Sequence, residues 1–192
     1  AVRHTFAKGG APIVRVVDLE ALLRQAASFS ARGSQSRCVF DFGESPLAVS
    51  VDQDQIAQVV QNLIINATQA MPQGGDITIR ARTVGPDDSQ FKSLPAGRYV
   101  RVTVTDQGSG IPAAHLPNIF DPYFTTKAAG RGLGLSVCHS IMVRHGGDLS
   151  AASEPGAGAV FTLHFPAAEV TDIRREPESS TLTPGGGRVL VM

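Results

Sequence analysis

Two asparagines, Asn62 and Asn66, stand four residues apart in a segment whose apolar residues recur at helical spacing. Residues four apart on a helix share one face, so the two amides point in the same direction. Amide oxygens can bind Mg²⁺, which keeps several waters and binds jointly to substrate phosphates. An isolated pair of this kind is more often part of an exposed polar face, so its meaning depends on the motifs that follow.

A carboxylate, Asp106, directly follows the alternating stretch Val102-Thr103-Val104-Thr105, which is typical of a strand. A carboxylate at a strand end can accept a hydrogen bond from the exocyclic amine of adenine. Gly108 and Gly110 come next, and glycines let the backbone approach a flat base closely. The alternative is an ordinary turn aspartate.

A glycine repeat, Gly130-Arg131-Gly132-Leu133-Gly134-Leu135, leads directly into a predicted helix. Backbone N–H groups at the positive end of a helix favour phosphate binding. The preceding stretch, residues 120–127, combines aromatic residues with Thr125, Thr126 and Lys127. Lys127 is the best candidate for a phosphate contact, since a lysine is a mobile point charge, and the alternative is a solvated surface lysine.

Together, these motifs resemble the four ATP-binding boxes of sensor histidine kinases. Their residue pattern is most similar to that of the nitrogen-regulation and oxygen-sensing type. The four boxes are residues 62–67, 106–110, 120–127 and 130–135. The resemblance implies a domain over residues 12–167 that binds ATP and Mg²⁺, with Asn66 as the metal ligand. It also implies that the Thr162 hydroxyl joins the Asp106 network, directly or through water, the alternative being a strand threonine that faces solvent. The nucleotide-site residues that it implies are Asn62, Asn66, Ala70, Asp106, Gly108, Gly110, Ile111, Phe120, Thr125, Thr126, Lys127, Gly130, Arg131, Gly132, Leu133, Gly134, Leu135 and Thr162.

Position 62 bears on the reaction, because hydrolytic members of the wider superfamily carry a glutamate there as a base. Asn62 cannot take a proton at neutral pH, whereas a neutral imidazole already has a free lone pair. The resemblance therefore implies phosphoryl transfer to histidine, with Asn62, Asn66 and Lys127 as catalytic residues. Two alternatives are an ATPase-type relative and a module that only senses ATP.

The histidine that would accept the phosphate is missing, because none of the five histidines precedes an acidic residue. We expect it on upstream helices, with residues 1–11 as their tail. Residues 168–187 read as a linker, and residues 188–192 resemble the first strand of a receiver domain, a stray apolar tail being the alternative. The expected partners are that helical domain and a response regulator receiver domain, in the same chain or another.

The amino-acid composition excludes several other classes of function. Lys+Arg and Asp+Glu both total 17, and this zero net charge argues against binding to nucleic acid or an anionic membrane. Cys38 and Cys138 lack metal-ligand spacing and are expected to be reduced thiols of a cytoplasmic domain. No apolar run approaches the roughly 18 residues that a membrane span needs.

These motifs need a scaffold of helices and strands. Asp18 is a helix cap, and a second helix starts at Asp52 or Asp54. The predicted helices are 18–32, 52–71 and 132–145, and the predicted strands are 38–42 with a partner at 48–51, 77–82, 99–106, 148–153 and 159–165. This order predicts an α/β (α+β) two-layer sandwich of the Bergerat type, a mixed and mostly antiparallel sheet with helices on one face.

Overall fold

The computed structural model describes residues 12–43, 46–85, 94–127 and 130–169. The helices and long strands in these ranges match the predicted ones closely, apart from their ends. The elements are β1 Arg15–Asp18, α1 Leu19–Ser30, β2 Ser36–Phe42, β3 Ala48–Val51, α2 Gln53–Ala70, β4 Gly75–Val84, β5 Tyr99–Thr105, α3 Gly134–Arg144, β6 Asp148–Ser153 and β7 Ala159–Pro166.

Five of the strands form one mixed sheet in the order β2-β4-β5-β7-β6. The β2–β4 pair is parallel, and the other neighbours are antiparallel. β3 pairs with β1 instead of β2, in a separate two-stranded sheet with Val17 opposite Val49. The sequence prediction missed β1, because four residues show too little alternation to reveal a strand.

The first two helices begin at aspartates, as predicted. The Asp18 carboxylate accepts a hydrogen bond from the Glu20 amide at 3.1 Å. The Asp52 carboxylate accepts from the Asp54 and Gln55 amides at 3.1 and 3.2 Å. Each bond satisfies a backbone donor that the helix itself cannot pair.

One hydrophobic core joins the three helices to the sheet. Along β5 the alternate residues Val100, Val102 and Val104 are buried, as are Phe161, Leu163 and Phe165 along β7. These side chains belong to the same core as the apolar faces of the helices. The helices therefore cover one face of the sheet, and the predicted sandwich is confirmed. The buried face of α2 consists of Ile56, Val59, Val60, Leu63, Ile64 and Ala67.

Several predictions fall wholly or partly outside the described residues. The predicted tail at residues 1–11 and the predicted receiver strand at 188–192 lie outside them, as does nearly all of the predicted linker, from residue 170 on. The segment between β4 and β5 is described only at its two ends. Within the described ranges, the structure contains no helix that is both long and apolar enough to cross a membrane.

Candidate functional site

A cavity of about 510 Å³ lies between the C-terminal half of α2, the loop from residue 107 to 131 and the start of α3. Most of the predicted site residues line it, although they come from four separate parts of the chain. They are Asn66, Ala70, Asp106, Gly110, Ile111, Thr125, Thr126, Lys127, Gly130, Arg131, Gly132, Leu133, Gly134 and Leu135.

Asp106 provides a buried acceptor at one end of the cavity. Its Oδ1 accepts from the Gly108 amide at 2.9 Å and from the Ala159 amide at 3.3 Å. Burial raises the pKa of the Asp106 carboxyl, although these two hydrogen bonds oppose the increase. None of the described groups donates to Oδ2, so this oxygen is left to accept from a ligand. Ile111 and Phe161 add apolar surface to the cavity.

The turn around Gly110 brings backbone close to the cavity. Gly110 has a φ of 70°, and a Cβ at this position would collide with the carbonyl of Glu154. The Gly156 amide also donates to the Ser109 carbonyl at 2.8 Å. The β6–β7 turn therefore packs directly against the residues that follow Asp106, and only glycine fits at position 110.

Thr162 lies on the opposite face of the sheet from Asp106, which is the alternative that the sequence left open. It pairs with Thr103, on the face of the sheet away from the helices. Side chains alternate along a strand, so the β7 residue beside Asp106 is Ala159, which contributes a backbone N–H and has no hydroxyl. The sequence correctly located the strand but not which of its residues faces the cavity.

A cationic group and two amide oxygens meet at the other end of the cavity. The Lys127 Nζ donates to Asn66 Oδ1 at 3.1 Å and to Gln69 Oε1 at 2.6 Å. Lys127 is exposed overall, but its ammonium contacts α2, and partial burial lowers its pKa. An oxygen of Asn66 is thus already placed to contact a cation.

The N-terminus of α3 faces the same end. Leu133 precedes the helix and offers no side-chain cap, so the first amide N–H groups stay available to an anion. Gly132 has a φ of 65°, and its carbonyl accepts from the Tyr123 amide at 2.8 Å. A Cβ on Gly132 would strike the Tyr123 backbone. This contact ties the glycine repeat to the aromatic part of the loop. Arg131 lines the cavity and is exposed.

Three other predicted residues lie next to the cavity instead of lining it. Asn62 turns toward α3, where its Nδ2 lies 3.5 Å from the Gly134 carbonyl and 3.6 Å from Cys138 Sγ. Phe120 packs against His139, with ring centroids 5.4 Å apart. Gly108 lies against Ala70. Asn62 and Gly108 therefore contact the lining residues Gly134 and Ala70, whereas the contact of Phe120 is to a residue outside the lining.

The structure adds residues that the motifs did not indicate. Gln69 lies three positions after Asn66 on α2, so helical spacing alone could have placed it in the site. Phe124 lines the cavity where Phe120 was expected, and its ring meets the His115 ring edge-on with centroids 5.6 Å apart. The lining residues missed from the sequence are Gln69, Ser109, Pro112, His115, Ile119, Phe124, Ala159 and Phe161.

The donor set limits the kind of metal that the site can hold. Among the described residues, no group of three or more His, Cys, Asp or Glu side chains lies close enough to hold a metal ion. A cage made by the protein alone is therefore absent from the described part of the chain. Asn66 lies at the end of the cavity next to Lys127 and the start of α3. Its single amide oxygen fits a cation that takes most of its ligands from phosphates and water, as Mg²⁺ does.

Comparisons with known proteins agree with this geometry. Residues 51–169 match the family described as histidine kinase-, DNA gyrase B-, and HSP90-like ATPase. The chain is 38% identical over 168 residues to the sensor histidine kinase ZraS of Escherichia coli K12, covering 86% of this chain and 33% of that protein. It is 36% identical over 193 residues to the sensor kinase CckA of Brucella abortus, covering 92% of this chain and 20% of that protein.

A similar structure has been solved for the catalytic domain of the histidine kinase ThkA. It is 30% identical to this chain, with a TM-score of 0.66, and the match covers 80% of this chain and 95% of that domain. The chain therefore spans almost a whole catalytic domain, but only a third of ZraS and a fifth of CckA.

Proposed function

The chain belongs to the family of histidine kinase-, DNA gyrase B- and HSP90-like ATPases, as a catalytic domain of the sensor histidine kinase type, and we propose how it acts. It binds ATP with Mg²⁺ and presents the γ-phosphate to a histidine on another domain of its parent protein. The observation that carries this proposal is one continuous cavity. It joins a buried carboxylate, Asp106, to Asn66, Lys127 and the start of α3.

Asp106 selects the base. Its free Oδ2 accepts a hydrogen bond from the exocyclic amine of adenine. Guanine presents an oxygen at the equivalent position, and two facing acceptors repel each other. The apolar lining by Ile111 and Phe161 favours a flat aromatic base over a charged group.

The opposite end binds the phosphates. Amide N–H groups at the start of α3 face a negative charge at the positive end of a helix. Lys127 adds a full positive charge next to them, and Thr125 and Thr126 add hydroxyl groups. Catalysis by these groups consists of positioning and charge stabilisation, as in other phosphoryl transfers.

Asn66 holds Mg²⁺ together with the phosphates. A bound Mg²⁺ supplies charge neutralisation for the phosphoryl group during transfer. Asn66 Oδ1 lines the cavity and already accepts a hydrogen bond from a cationic ammonium. Its amide is neutral, so the negative charge that holds the ion comes from the phosphates.

Transfer is favoured over hydrolysis by the placement of the charged groups. Among the described residues that line the cavity, Asp106 is the only carboxylate, and it lies at the base end. Asn62 stands where a hydrolytic relative would carry its base, and it points toward Cys138. A water near the phosphates would find no carboxylate to activate it, whereas a histidine needs none.

The expected partners follow from the proposed transfer of phosphate from ATP to a histidine on another domain. The acceptor histidine lies on a helical domain of the parent protein. A response regulator receiver domain then takes the phosphate.

A transfer assay tests the proposal. The chain is mixed with the acceptor helices of its parent protein and ATP labelled at the γ-phosphate. Label should appear on a histidine of the helices, and Asn66→Ala should abolish it. ATP binding without transfer would favour a sensing module. Rapid phosphate release without labelled protein would favour an ATPase.

A further inference from the structure

We propose that Gln69 is a positioning residue that holds the Lys127 ammonium on the Oδ1 of Asn66. The lysine then occupies the metal-ligand oxygen until Mg²⁺-nucleotide displaces it. This inference rests on the proposed function, in which Asn66 binds Mg²⁺.

Two amide oxygens from one helix converge on a single ammonium. Lys127 Nζ lies 2.6 Å from Gln69 Oε1 and 3.1 Å from Asn66 Oδ1. The shorter contact is to Gln69, a residue three positions from Asn66 and therefore on the same side of α2. Both contacts lie at the exposed surface, where a charged donor still gives a stronger hydrogen bond than a neutral one, so Gln69 contributes modestly to holding the lysine in place.

Local backbone contacts fix the lysine at this point of the loop. The Lys127 amide donates to Thr125 Oγ1 at 3.1 Å, and its carbonyl accepts from the Gly130 amide at 3.0 Å. The backbone at residue 127 is thus held in a turn while the side chain reaches α2. The lysine connects the loop to α2 by its charged end.

Mg²⁺ and the lysine compete for Asn66. A ligand oxygen lies about 2.0–2.1 Å from Mg²⁺, so an ammonium bonded to the same oxygen would be close to a doubly charged ion. Two cations at that separation repel each other. Binding of the metal therefore requires that the lysine leave Asn66, and the leaving ammonium is released next to the phosphates.

The competition predicts how Gln69 affects the metal requirement. Gln69→Leu removes the shorter of the two bonds that hold the lysine, while Asn66 stays intact. The Mg²⁺ concentration that gives half of the maximal gain in ATP affinity should then fall roughly three- to tenfold. Calorimetric titration of the whole chain with ATP at a series of Mg²⁺ concentrations measures this value. An unchanged or higher Mg²⁺ requirement in Gln69→Leu would overturn the inference.

The matched control is Gln58→Leu, the same change on an exposed position of α2 outside the cavity. Its Mg²⁺ requirement should equal that of the unmodified chain. A fall as large as that of Gln69→Leu would show a general effect of the substitution and contradict the inference.

A double mutant separates positioning from a direct role of Gln69. In a Lys127→Met background, Gln69→Leu should cause no further change, because there is no ammonium left to hold. An equal fall in both backgrounds would mean that Gln69 acts without Lys127. If Gln69→Leu does not fold, Gln69→Ala removes the same hydrogen bond and must lower the Mg²⁺ requirement, and an unchanged value contradicts the inference. Absence of any ATP binding by the unmodified chain would contradict the proposed function as well, whereas binding with an unaltered Mg²⁺ requirement in these variants contradicts only the role of Gln69.

Discussion

The side-chain amide of Asn62 on α2 donates to the sulfur of Cys138 on α3, at 3.6 Å. The same nitrogen lies 3.5 Å from the Gly134 carbonyl, in the first turn of α3. Cys138 Sγ in turn lies 3.8 Å from the Val59 carbonyl. Asn62 therefore connects α2 to the helix whose N-terminus faces the phosphate end of the cavity, and it contributes to the site by positioning α3.

Asn62→Ala should lower the stability of the domain. It removes a donor from two partly buried acceptors, a loss of about 1 kcal/mol in unfolding free energy. For a domain of this size the midpoint of thermal unfolding should fall by roughly 2–4 °C, which scanning calorimetry measures. Asn66→Ala is the matched control, and it should leave the midpoint nearly unchanged while phosphoryl transfer is lost. An Asn62→Ala variant with normal thermal stability would contradict the positioning role.

Cys138 should make stability depend on pH in the alkaline range. Burial raises the pKa of its thiol from 9.0 to about 11, and the Asn62 hydrogen bond only partly opposes this. Between pH 9 and 11 the unfolded chain loses a proton that the folded chain retains, so unfolding becomes more favourable as pH rises. A difference of two pKa units corresponds to about 2–3 kcal/mol.

The measurement is urea unfolding of the original chain and of Cys138→Ala between pH 8 and 11. The variant loses packing at every pH, but its stability should decline less steeply above pH 9. Other alkaline groups, including Cys38, are the same in both proteins and cancel in the difference. Parallel declines would show that Cys138 does not titrate as inferred.

Asp106→Asn should weaken ATP binding by roughly 10- to 100-fold. The amide can still accept from the Gly108 and Ala159 backbone, so the local fold should persist. The hydrogen bond to adenine loses its charged acceptor, worth about 1.5–3 kcal/mol. Calorimetric titration with ATP and GTP should also show a smaller preference for adenine. Thr162→Val is the control and should bind ATP normally, because Thr162 faces the opposite side of the sheet; weaker binding in this variant would restore Thr162 to the Asp106 network.

Gly132→Ala should lower ATP affinity far more than Gly33→Ala does. Gly132 and Gly33 both have positive φ, 65° and 80°. A Cβ at position 132 would strike the Tyr123 backbone, whereas position 33 has open space. Gly33→Ala should cost about 1 kcal/mol of stability from backbone strain and bind ATP normally. Gly132→Ala should lose most ATP affinity in the same titration, and equal binding by the two variants would contradict the assigned role of the loop contact.

Most of the fold was predictable because the signals are local. Asp18 and Asp52 cap their helices through amides two or three residues away. The buried face of α2 repeats at helical spacing, and the strands alternate, so type and extent follow from nearby residues. β1 was not predictable from its four residues, because its pairing partner β3 lies 30 to 36 positions away.

The site was predictable only as a set of motifs. Asn66, Asp106 and the glycine repeat fall in one cavity, as expected from their order and spacing. Thr162 and Phe120 do not line the cavity, because a shift of one position on a strand or of a few in a loop changes the direction of the side chain. Gln69 was missed because a single glutamine on a helix carries no signal until its partner is known.

The sequence by itself determined the helices and strands and the residues able to recognise adenine and phosphate. These properties depend on side-chain chemistry and on short-range backbone preferences, which neighbouring residues determine. Only the tertiary structure decided which distant residues are in contact. Asn62 contacts Cys138 on α3, and the Ala159 amide donates to Asp106. Lys127 contacts Asn66 and Gln69. Those contacts join residues 53 to 76 positions apart, and their geometry depends on how the helices and the loop pack on one sheet.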